Sequence, residues 1–87
     1  MPLAHVLVTD DRQARPDTSM DVVLWVGHRP APARLRSGAR VIERRTVRGA
    51  ASYLAPRQAE LHLRLREPLS FLGALAAAAS GEALRAA

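Results

Sequence analysis

ARVIERRTVRGAASYLAPRQAELHLRLREPL, residues 39–69, is the stretch on which the fold turns. Its second half reads most clearly. Leu61, Leu63 and Leu65 alternate with Glu60, His62, Arg64 and Arg66. A period of two is that of a strand with one buried face and one wet face. Pro68 lacks a backbone donor and ends the ladder. Burying three leucines is worth about 5–8 kcal/mol before conformational entropy is subtracted. The first half reads as a strand or hairpin over 39–50 that continues through Tyr53 and Leu54 to a turn at Pro56. Val41 and Val47 share a parity, as do Ile42 and Thr46, and a bulge near Arg44–Arg45 would reconcile them.

Upstream, LAHVLVT (3–9) is apolar and β-rich, which predicts a buried strand. DDRQARPDTS (10–19) is a polar turn region. MDVVLWV (20–26) is a second strand with apolar residues on both faces, which implies cover on both sides or a Trp25 ring lying over a barrel end. GHRPAPARLRSG (27–38) is an extended loop with at most a short edge segment at Ala33–Arg36. Downstream, Leu69, Leu72, Leu75, Ala76 and Ala79 fall at helical spacing, with Gly81 as the expected C-cap. Strands at this spacing with turns between them predict a small barrel or sandwich. The expected organisation is one domain over 1–87, with a β core at 4–69 and a helical tail at 70–87.

The 87-residue chain has no cysteine, which excludes disulfides, thiolate catalysis and cysteine zinc sites. No apolar run reaches the roughly 20 residues of a membrane helix. The start lacks a basic region followed by a long apolar one, so no secretory signal is expected and a cytoplasmic setting is. All thirteen basic residues are arginine. Residues 29–48 hold Arg29, Arg34, Arg36, Arg40, Arg44, Arg45 and Arg48 against Glu43 alone, a net +6. The rest of the chain carries −1, so the whole charge of +5 comes from this segment. Such a field favours a polyanion or an acidic partner. With only Trp25, Tyr53 and Phe71 as aromatics, an RNA contact would hold phosphates rather than stack bases. Arginine suits that task through its planar, two-pronged fork.

Catalytic patterns are missing. His5, His28 and His62 sit in different elements and are not expected to form a metal site. Asp10 and Asp11 read as a turn pair. Ser70 and Ser80 have no neighbouring base. There is no phosphate loop and no dinucleotide fingerprint. No enzyme activity, metal or cofactor is expected.

Several phrases resemble the third domain of translation-factor GTPases. Val6, Leu7, Pro16, Thr18, Val22 and Leu24 match its first strand, loop and second strand. Gly38 and Val41, then Arg45 and Thr46, then Leu54 and Pro56, then the leucine strand ending at Pro68 and Leu69, match the later part of that domain. The flavour is nearest to the selenocysteine-specific elongation factors, then to the GTPase subunit of sulfate adenylyltransferase; elongation factor Tu is more distant. The resemblance implies a six-stranded antiparallel β-barrel, here followed by an alanine-rich helix in place of the usual last strand. It also implies contact with a tRNA-like RNA backbone or docking on a partner GTPase domain. Arg45 and Thr46, with Arg44 and Arg48, are the positions carried over; Arg34, Arg36 and Arg40 complete the expected RNA-binding set. The alternative is a protein-interaction domain that oligomerises through its alanine-rich tail. The sequence leaves the oligomeric state open.

Overall fold

The computed structural model describes residues 3–36 and 39–86, with side chains described as far as Gly81. Gly38 of the translation-factor resemblance lies outside the described residues, as do the side chains of the last tail residues. The strands are β1 (Ala4–Thr9), β2 (Val22–Val26), β3 (Arg40–Arg44) and β4 (Ala59–Arg64). The helices are α1 (Val47–Leu54) and α2 (Pro68–Ala86), with a short 3-10 turn at Ala33–Arg36. The strands form one sheet in the order β3-β2-β1-β4, and every neighbouring pair is parallel.

This overturns the antiparallel barrel and the fold that the translation-factor resemblance implied. An antiparallel pair can close through a tight turn, but a parallel pair needs a crossover. Residues 46–58, expected to continue a hairpin, supply one. The Thr46 hydroxyl accepts the Gly49 N–H at 3.0 Å and caps α1, which is the standard use of threonine at a helix start. Val47, Ala50, Ala51 and Leu54 then fall at i, i+3, i+4 and i+7 and turn inward. The helix carries the chain from β3 at one edge of the sheet to β4 at the other.

One sheet face packs under the helices. Val6, Val8, Leu24 and Val26 meet Ala50, Ala51, Leu54 and Phe71 there. Leu61, Leu63 and Leu65 join this face as expected, but only half-buried, because β4 is an edge strand. The opposite face, Leu7, Val23 and Trp25, is covered by Ala14, Ala31 and Leu35 from the two long connections. The connections β1→β2 and β3→β4 cross opposite faces in opposite directions, so both have the same hand, as crossovers almost always do. The two central strands are therefore buried on both sides, as their apolar stretches 6–8 and 22–26 require.

The tail is a helix, but with a different face and end from those expected. Pro68 opens α2, where its missing N–H costs nothing. Phe71 is fully buried, with Ala74 and Leu75 packed behind it, while Leu69 and Leu72 point outward. The helix runs through Gly81 to Ala86, so Gly81 is not its C-cap.

Candidate functional site

An all-parallel sheet brings every strand's carboxyl end to one edge. Here β1 runs into Asp10, Asp11 and Arg12, β2 into Gly27, His28 and Arg29, β3 into Arg45 and Thr46, and β4 into Leu65 and Arg66. The order reverses at β1: the chain steps one way to β2 and β3, then jumps across to β4. Open α/β sheets bind ligands in the crevice this reversal leaves at the carboxyl ends. A cavity of about 640 Å³ lies there, between Asp10, Asp11 and Arg12 on one side and Arg64 and Arg66 on the other.

Thr9 links two of the segments that line this crevice. It is a buried polar residue at the end of β1. Its hydroxyl donates to the Arg64 carbonyl at 2.9 Å and accepts the Asp11 N–H at 3.0 Å. Asp10 Oδ1 accepts the Arg66 N–H at 3.3 Å, and Asp10 Oδ2 faces Arg66 Nε at 3.6 Å. Asp11 Oδ1 accepts the Gln13 N–H at 2.8 Å, which shapes the turn after β1. Arg12 reaches the Pro30 carbonyl at 3.4 Å and ties the first connection to the second.

The seven sequence-expected RNA positions divide. Arg44, Arg45, Thr46 and Arg48 stand together at the carboxyl edge, where β3 turns into α1. Arg44 donates to the Glu43 carbonyl at 2.7 Å and lies 5.1 Å from the centre of the Tyr53 ring, which Arg57 also covers at 3.9 Å. Thr46 spends its hydroxyl on the helix cap. Arg40 begins β3, in register with Val22, at the opposite end of the sheet. Arg34 and Arg36 sit on the 3-10 turn over the loop-covered face. Arg34 contacts Gln13 Oε1 at 3.4 Å, and Arg36 pairs with Glu43 at 2.6 Å. Glu43 also accepts the Ala31 N–H, so the Arg36–Glu43 pair fastens the second connection to β3.

In the sequence the histidines stand far apart; the structure joins two of them. His5 on β1 and His62 on β4 are hydrogen-bonded ring to ring, with Glu60 beside them. The available signal is Glu60-x-His62, two residues on one face of a strand; what the sequence lacks is the β1–β4 pairing that brings His5 alongside. Among the described residues no helix is long and apolar enough to cross a membrane. No protein-family model matches this chain, and neither does any curated protein or solved structure.

Proposed function

We propose that this chain is a binding module for the phosphate backbone of structured RNA, held along the carboxyl edge of its parallel sheet. One observation carries the reading: parallel pairing gathers Arg44, Arg45 and Arg48 at the edge where Arg12, Arg64 and Arg66 also emerge. The span from β3 to β4 is about 14 Å at ordinary strand spacing, wide enough for several phosphates of one strand. Asp10 and Asp11 make the β1–β4 crevice mixed in sign, so the β3–α1 corner is the stronger phosphate anchor. Of the expected positions, Arg40 falls out of the site because it stands at the other end of the sheet, and Arg34 and Arg36 because they stand on the 3-10 turn over the loop-covered face.

The test is binding of a structured RNA across a salt series. Affinity should drop about tenfold or more between roughly 50 and 200 mM salt. Replacing Arg44, Arg45 and Arg48 together with glutamine should remove most of the binding and lower the salt slope by about one for each phosphate no longer held. Arg40→Gln should change little. Equal losses from Arg40→Gln and from any single edge variant would mean that net charge, not this edge, attracts the RNA.

A second reading, self-association through α2, rests on Leu69 and Leu72, which are 80% and 43% exposed on its outer face. Sedimentation over a range of concentrations separates it from the first: a strict monomer ends it.

A further inference from the structure

The β1–β4 register sets His5 opposite Glu60, and the two-residue period places His62 on the same face. His5 Nδ1 and His62 Nε2 face each other at 3.0 Å, with ring centroids 5.3 Å apart and planes 29° from parallel. His5 Nε2 lies 3.5 Å from Glu60 Oε2. One donor atom from each of the three residues lies within 4.8 Å of the other two.

Two ring nitrogens this close share a proton or share a cation. With Zn–N bonds of about 2.0–2.1 Å and tetrahedral angles, two ligating nitrogens stand about 3.3 Å apart. To take an ion the pair must open by a few tenths of an ångström and both rings must turn, so that their lone pairs converge on one point instead of facing each other. Glu60, whose Oε2 faces the other His5 nitrogen, is 59% exposed on its side chain and would have to swing a carboxylate oxygen from there into the third position. The surroundings carry both signs, Arg15 and Arg64 lining the groove beside His62 together with Asp17. Asp17, whose carboxyl is held below its ordinary range by the Ser19 hydroxyl and backbone N–H, presents its negative charge to both imidazoles. Asp21 Oδ2 accepts the His5 backbone N–H at 2.8 Å and fixes that end of β1. The loop cover stops short of β4, leaving a groove of about 540 Å³ beside His62 and Met20.

We propose that His5, Glu60 and His62 bind one divalent transition-metal ion of the zinc type, with a fourth position open to water or a small ligand. Two imidazoles and a carboxylate suit zinc or cobalt better than the all-oxygen preferences of magnesium or calcium. His5 and Glu60 lie near the amino ends of β1 and β4, and His62 stands two residues before Arg64 on the same face of β4; the site uses none of the edge arginines as a ligand and is independent of the RNA reading.

The full chain is titrated with Co²⁺, whose visible absorption reports coordination, then with Zn²⁺ in competition. A one-to-one complex is expected, with a zinc-dependent rise in melting temperature. His5→Ala and His62→Ala should each weaken the metal at least about 100-fold, beyond the 10–100-fold typical of an outer-shell partner. Glu60→Gln should cost about tenfold or more, while His28→Ala and the triple arginine variant should bind as the parent does. Circular dichroism confirms folding, and the glutamine replacements His5→Gln and His62→Gln serve if an alanine variant fails to fold. The proposal is overturned if no one-to-one complex forms at sub-millimolar metal, or if metal affinity survives loss of both histidines.

Discussion

Val6, Val8, Leu24 and Val26 meet helices; Leu7, Val23 and Trp25, one residue out of step on the same two strands, meet loops. The helical cover satisfies its own backbone and needs only an apolar stripe. The loop cover must find a partner for each buried backbone group by other means. It does so piecemeal: Trp25 Nε1 donates to the Arg29 carbonyl at 2.8 Å, Ala31 N–H to Glu43, and Ala14 N–H to the Asp11 carbonyl at 3.1 Å. No buried side-chain nitrogen or oxygen among the described residues is left without a partner. The cost of this construction is reach. The helices extend over β4, whereas the loops leave its other face open, and there the histidines and the groove collect.

Core truncations probe the two covers separately. Phe71→Ala, on the helical side, should destabilise by about 3–5 kcal/mol in chemical denaturation. Leu35→Ala, equally buried under the loops, should cost about 2 kcal/mol, at the low end for such truncations, because a loop collapses onto a void more easily than two packed helices. Equal losses would erase the proposed difference in stiffness. Thr9→Val keeps shape but strands the Asp11 N–H and the Arg64 carbonyl, for a loss of about 1–3 kcal/mol. Hydrogen exchange should show that loss concentrated at the carboxyl edge of β1 and β4. Thr46→Ala removes the cap of α1 and should cost about 1 kcal/mol, with little change in protection on the loop side.

The smallest effect belongs to the loop side and depends on pH. The folded-state pKa of Asp17 is depressed, so its contribution is present above the ordinary value of 3.8 and is lost as the pH falls below it. Asp17→Asn should therefore be slightly less stable than the parent at neutral pH and equal to it in strong acid. Denaturation midpoints of the two proteins across that range check the sign.

The leucine alternation of β4 is legible because an edge strand shows one wet face. The apolar run of β2 also announces cover on both sides, which is the mark of a central parallel strand. α1 is legible in principle through Val47, Ala50, Ala51 and Leu54. It is masked by the valine and arginines around its start, which suit a strand equally well by propensity. Strand direction is not legible, since it is set by what the intervening segment becomes. The arginine edge and the His5–His62 pair depend on that direction. Residues 57 positions apart meet only because the last strand returns to the first.

That return has a kinetic side. β1 bonds to β2, close behind it in the chain, and to β4, which is made only after two further crossovers. Its second edge must wait, unpaired, until α1 has laid the chain across the sheet. Closure of so long a loop precedes most of its reward, so folding should be slow for a chain of this size. An intermediate holding β1, β2 and β3 would meanwhile expose a hydrophobic ribbon to any other extended chain.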